Sequence, residues 1–370
     1  MTPGPEDTPG VRRAWGWVAH LLSGGTTPWR VWTDEGRPGG RVLPGAQQLE
    51  LLRRLNLVGG VTPELATRVL EASAPGRGRP DLELEGSVDR LAFGPPPVDP
   101  GDLPDDELLR VATSLIADDV VAAGLPEPRR VGTTRPWRTR YRLVGDPLLA
   151  DPRRADLIAR GRPPGGRGSV ILVLGTDLGS MLVHAWTARS LAEGAPAWRD
   201  WFDSLARSRT VPARADLPRV ARFWTDRVGI DRVRIVLEPA LVPRLVGVRR
   251  PLATAPDLSA DAVDLSRRVG QVLGLLAEPA RRRALLHQTL APHLATHHGP
   301  GLGVPPEHAA WVHARAERMR DGLLRAGYAV HGDPDSLLPV DHVGASEPSD
   351  AGVLALALRL LLEKPLEKGK

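Results

Sequence analysis

The run Ser-Val-Ile-Leu-Val-Leu-Gly-Thr-Asp, from Ser169 to Asp177, constrains this chain more than any other segment. Its aliphatic residues, Val170 to Leu174, follow one another with no polar alternation. An alternating strand buries one face; an unbroken apolar strand needs cover on both. Strands of that kind belong to parallel sheets with helices on each side. The run ends at a glycine and a polar tip, Gly175, Thr176 and Asp177, and an amphipathic stretch follows over 178–193. Open α/β sheets hold their ligands beyond the carboxyl ends of the strands. The tip is therefore expected at a ligand crevice.

The flanking sequence supports this frame. Residues 140–144 and 232–237 read as further strands, and 152–160, 198–206 and 217–228 as helices between or beside them. Strand–helix alternation predicts a parallel α/β sheet. Upstream, helices are expected over 11–22 and 47–57, the second stopped by Gly59 and Gly60. Thr62 followed by Pro63 has the cap-then-proline signature of another helix, running to about residue 73. Residues 105–123 form a helix with acids in its first turn. Downstream, 260–327 is mostly helical, 328–330 is short and apolar, and a last helix covers 351–362. The expected organisation is a disordered tail over 1–10 and a helical N-terminal region over 11–73. A proline- and glycine-rich linker or wrapping arm fills 74–104. An α/β core with a helical C-terminal part spans 105–340, and a C-terminal helix and tail cover 341–370.

Bulk properties narrow the class. A length of 370 residues exceeds what one compact core usually needs. Hydrophobic content of 42% and charged content of 25% are those of a globular protein. There is no apolar run long enough for a transmembrane helix. The N-terminus lacks the basic and apolar regions of a secretory signal, and cysteine is absent, so a cytoplasmic location is expected. All but Lys364, Lys368 and Lys370 of the 49 basic residues are arginine. Alanine, glycine and proline are abundant too, the pattern of a GC-rich genome. The arginines are spread along the chain, often beside acids, so no nucleic-acid partner is expected. The expected partner is a small anionic or carbohydrate ligand, with a protein partner left open.

The usual phosphate motifs are missing: there is no Gly-x-x-x-x-Gly-Lys-Ser/Thr, and no Gly-x-Gly-x-x-Gly after a strand. The glycine-rich turn over 163–168 precedes the buried strand and reads as a solvent turn. Gly132, Thr133 and Thr134 form a loop with no apolar strand feeding it. The candidate ligand-binding residues are Gly175, Thr176, Asp177, Ser180 and His184. Ser180 and His184 are four apart, so they project from one side of a helix beginning near Leu178. Asp177 is expected to cap that helix. His184 is either a packed histidine or a proton-transfer group facing the crevice. His293 and His297 have the i, i+4 spacing of a metal pair, but no acid or thiol accompanies them and no metal is expected. Trp186, Trp198, Trp201 and Trp224 read as packing residues. A sugar-stacking platform needs their rings exposed.

From the buried strand onward, the chain resembles a group of actinobacterial sulfotransferase-like proteins with the P-loop fold. Val173 to Leu178, followed by Ala185 and Trp186, is similar to that group's strand, turn and helix. Leu217 to Val228, Gly229 and the run from Asp231 to Val236 resemble its helix and "Arg-Val-His" strand. Val304 to Glu307, Trp311, Glu317, Arg325 to Tyr328, Gly332 and Asp333, and Leu337 to Pro339 resemble its closing run. The likeness covers roughly 139–340. It implies a sulfotransferase-like core and, for an active member, the donor phosphoadenosine phosphosulfate. The family's Lys-x-Gly-Thr-Thr cradle is missing here. Its arginine and serine for the donor's 3′-phosphate would fall at Thr176 and His184. The resemblance thus implies a degenerate member that binds a ligand or partner without a cofactor. One alternative is a divergent sulfotransferase or other group transferase acting on a carbohydrate. Another is a cell-envelope assembly or interaction protein, which would expose a large apolar patch.

Overall fold

The structure, a computed structural model, describes residues 8–37, 42–72, 81–87, 95–127, 132–133, 139–165, 169–340 and 344–363. The expected disordered tail therefore falls largely outside the described residues, as do much of the proline-rich arm and the tips of both glycine-bearing loops. Helices α1 (Pro9–Leu22), α2 (Ala46–Val58), α3 (Pro63–Glu71) and α4 (Asp105–Ala123) come first. Then follow β1 (Tyr141–Gly145), α5 (Pro147–Ala159), β2 (Val170–Leu174), α6 (Leu178–Ser190), α7 (Trp198–Ser208), α8 (Leu217–Val228) and β3 (Val233–Val236). The chain continues through α9 (Val242–Leu245), α10 (Ala260–Leu276), α11 (Pro279–Leu285), α12 (Ala291–Leu294), α13 (Ala309–Ala326), β4 (Ala329–His331) and α14 (Asp350–Leu362). No described helix is long and apolar enough to cross a membrane.

The chain divides into two compact units. The first comprises 1–125, 268–290 and 349–369; the second comprises 126–267 and 291–348. In the first unit, Thr62 caps α3 by accepting from the Leu65 N–H, with Pro63 at the first helical position. The three acids that open α4 face its N-terminal dipole. The Arg268 guanidinium ties Asp106 (2.7 Å) and Asp350 together, pinning the starts of α4 and α14. From the proline-rich arm, Leu84 pairs with Val98 through an isolated bridge, and Leu84 is wholly buried.

The second unit is a parallel sheet in the order β1-β2-β3-β4. β2 lies inside it, and Ile171 to Leu174 are all buried. Leu172 and Leu174 join Leu143 and Val236 on one face, covered by Ala150 and Leu157 of α5 and by Val242 and Val246. Ile171 and Val173 join Val233 and Ile235 on the other, covered by α6, α7, α8 and α13. The uninterrupted apolar run is thus covered twice, as its composition requires. On the second face, Trp186, Trp198, Trp201 and Phe202 form one buried aromatic cluster.

The connections β1→β2 and β2→β3 step in the same lateral direction over opposite faces, so they differ in hand. The helices leaving β1 and β2 therefore part to opposite sides of the sheet. Such parting opens a crevice between the carboxyl ends of two neighbouring strands.

One boundary differs from expectation. The helix predicted from Pro152 starts five residues earlier: Asp146 accepts from the Leu149 N–H, and Pro147 takes the first position. Pro152 stands inside this helix. The turn into it is set by Gly145, at φ +94°. A Cβ at Gly145 would meet the Leu174 carbonyl oxygen at 2.3 Å. Gly145→Ala is expected to destabilise the second unit by at least about 2 kcal/mol, from left-handed backbone strain plus displacement of the β1–β2 ladder. Chemical denaturation followed by circular dichroism measures it, and an unchanged midpoint would contradict this account.

Candidate functional site

The crevice is organised by Asp146, which is fully buried at the end of β1. Its N–H donates to the Leu174 carbonyl (2.9 Å), joining the ends of β1 and β2. Its Oδ1 accepts from the Leu149 N–H (3.0 Å), capping α5. Its Oδ2 lies 2.8 Å from Nδ1 of His184 on α6. A carboxylate can only accept, so Nδ1 carries a hydrogen, and in the neutral ring Nε2 keeps the lone pair. The imidazole thus has a fixed tautomer and a fixed plane.

Beside this pair lies a cavity of about 640 Å³, lined by α5, α6, the segment 254–258, and Gly301, Leu302 and Gly344. Helix α6 turns one side to the sheet through Leu178, Met181, Leu182 and Trp186. Its other side brings Ser180, Val183, His184 and Thr187 to the cavity, the i, i+4, i+7 geometry of one helical stripe. The segment 254–258 adds the Thr254 hydroxyl and the exposed Asp257 carboxylate.

From α5 comes Arg153, only 8% exposed. A guanidinium offers five N–H donors. Among the described residues it has one hydrogen-bonding acceptor, the Leu149 carbonyl at 2.9 Å. Burial lowers its pKa from the usual guanidinium value, and the nearby Asp146 charge opposes that shift. It remains a cation, held in a place where its charge is poorly solvated.

The residues singled out from the sequence divide into two groups. Ser180 and His184 line the cavity. Gly175, Thr176 and Asp177 do not. The space a side chain would take at Gly175 is filled by Leu217, whose Cδ1 lies 2.4 Å from an ideal Cβ there. The Gly175 N–H donates to the Val236 carbonyl. Thr176 is half-buried. Asp177 is buried and accepts from the Ser180 N–H at 2.8 Å, so its carboxylate caps α6. The open space therefore lies one helical turn beyond the strand tip. The carboxylate that meets His184 comes from β1.

Sequence reasoning passed over Asp146, Arg153 and Thr187. The signal for Asp146 was present: Asp146 before Pro147 repeats the cap-then-proline pattern of Thr62 and Pro63. Arg153 has no such mark in an arginine-rich chain. Elsewhere, His293 and His297 pack edge to face, with ring centroids 5.8 Å apart.

Comparison with protein-family models, with curated proteins and with solved structures found no match.

The Asp146 contact predicts a spectroscopic signature. Nitrogen-15 shifts should show the Nδ1–H tautomer in the neutral form of the His184 ring. In Asp146→Asn the tautomer population should move toward Nε2–H, because the amide can present its NH₂ to Nδ1. An unchanged tautomer would remove the orienting role given to Asp146.

Proposed function

We propose that this chain binds a small hydroxylated anion, of the chemistry of an acidic monosaccharide, in the cavity between α5 and α6. The observation that carries this reading is Arg153. A desolvated cation with one protein acceptor burdens the fold, and a bound carboxylate or sulfate offsets that burden with charge-assisted, bidentate bonds. Around it, the Ser180, Thr187 and Thr254 hydroxyls, the Asp257 carboxylate and His184 Nε2 supply the mixed donors and acceptors that sugar hydroxyls need. The volume of about 640 Å³ admits one sugar ring with room to spare.

We read the sulfotransferase-like resemblance as a frame without donor chemistry. In that resemblance, Thr176 and His184 stand where the family holds the donor's 3′-phosphate. Here Thr176 lies off the cavity, and His184 is bonded to a carboxylate.

A second reading, a group transferase acting on a carbohydrate hydroxyl, is favoured by the Asp146–His184 pair. A histidine held by a buried carboxylate with its Nε2 free has the geometry of a general base. The two readings differ in what binds.

Isothermal titration separates them. Under the first reading, glucuronate binds, glucose binds at least about tenfold more weakly, and adenosine 3′,5′-bisphosphate gives no heat. Arg153→Met abolishes glucuronate binding while leaving the unfolding midpoint unchanged or raised, because it removes a desolvated charge. Micromolar binding of the bisphosphate, lost in His184→Ala, would establish the second reading instead. Glucuronate binding undiminished in Arg153→Met would overturn the first.

A further inference from the structure

A separate cavity of about 340 Å³ lies at the outer edge of the sheet, between the end of β1 and helix α8. Among the described residues β1 pairs with β2 alone. The cavity floor is Val144 and Gly145, and its walls carry Arg154, Arg214, Arg219, Phe223 and Trp224. Among the described residues no acidic side chain lines it.

The charge here is not cancelled locally. Arg214 and Arg154 share one carboxylate, that of Asp151, at 2.7 and 2.8 Å. Arg214 is further fixed by donating to the Gly145 carbonyl (2.8 Å). Arg219 has no carboxylate partner among the described residues; only its backbone N–H is engaged, by the Asp216 cap of α8. Three guanidiniums against one shared carboxylate leave a positive excess facing an open space.

The rings beside them are held in place. Phe223 and Trp224 meet edge to face, with centroids 5.4 Å apart. The Arg227 guanidinium lies 3.4 Å from the Phe223 centroid, and Arg142 lies 5.0 Å from that of Trp224. Neither of these arginines lines the cavity, so they brace the rings from outside it. Phe223 is 47% exposed, an unusual position for a phenylalanine with no core role. In a chain with 3 phenylalanines, its place beside three cations sets it apart.

We propose that this edge cavity binds a small aromatic phosphate, with the ring against Phe223 and Trp224 and the phosphate on Arg154, Arg214 and Arg219. Guanidinium forks match phosphate oxygens bidentately, and aromatic rings add offset or edge contacts. The positive excess disfavours cationic ligands, and the aromatic wall favours ring-bearing anions over bare ones. This site is independent of the α5–α6 cavity, from which it differs in lining and in charge.

The test is isothermal titration of the full chain with phenyl phosphate, inorganic phosphate and phenol. Phenyl phosphate should bind at least about tenfold more tightly than either fragment. Phe223→Ala should reduce the affinity for phenyl phosphate toward that for inorganic phosphate. Arg219→Gln should weaken phenyl phosphate by about tenfold. Both side chains are exposed, so their removal leaves the core intact. Arg153→Met should leave phenyl phosphate binding unchanged, which keeps this result separate from the fate of the other cavity. Equal affinity for phenyl and inorganic phosphate, no binding of either, or indifference to Phe223→Ala would each overturn the proposal.

Discussion

Asp146 holds the second unit together at the edge of its candidate site. One buried carboxyl residue closes the β1–β2 ladder through its N–H, starts α5 through one oxygen and orients an imidazole on α6 through the other. A buried carboxylate is tolerated only when its lone pairs are used. Here that requirement and the architecture have the same solution. The helices leaving β1 and β2 depart to opposite faces, and the side chain that joins them spans the gap their departure creates. Removing it would break a helix start and a histidine contact together, while the backbone bond to Leu174 stays.

The cavity beside it combines opposite tendencies. Its walls are helix surfaces set by core packing, with Met181, Leu182 and Trp186 turned one way and Ser180, His184 and Thr187 the other. Into that rigid frame α5 delivers a guanidinium largely removed from water. Stability alone would select a methionine or leucine at such a position. A poorly compensated charge on a well-packed element is how binding sites differ from cores.

The sheet was legible in the sequence because the run from Val170 to Leu174 admits few other solutions. Five aliphatic residues with no polar face need two covering layers, and both are there. Helix ends were legible where side chains declare them: Thr62 with Pro63, the acids opening α4, and Gly229 after α8. In the sequence α5 reads as starting at Pro152, while Asp146 and Pro147 carry the true signal. The site was half legible for a related reason. Ser180 and His184 share a helix, and periodicity brings them together. Asp146 and Arg153 reach them only through the pairing of β1 with β2, a contact between segments far apart in the chain. The strand tip itself was closed by Leu217, a residue whose role depends on where α8 comes to rest.

Composition obscured as much as it showed. With so many arginines, no single one stands out, and their roles differ sharply. Arg160 is locked to Asp156 and the Pro251 carbonyl, Arg142 and Arg227 lie over aromatic rings, and Arg153 is buried with most of its donors unspent. Only their surroundings distinguish a strut from a binding group.

Pro152, inside α5, has no amide hydrogen to offer the Leu148 carbonyl one turn back. Leu148 borders the same hollow as Arg153. An imino acid in mid-helix thus relaxes the ladder beside the cavity wall, at the turn that presents the guanidinium. The turn of α5 that presents the guanidinium is thus held by one backbone hydrogen bond fewer than the turns after it.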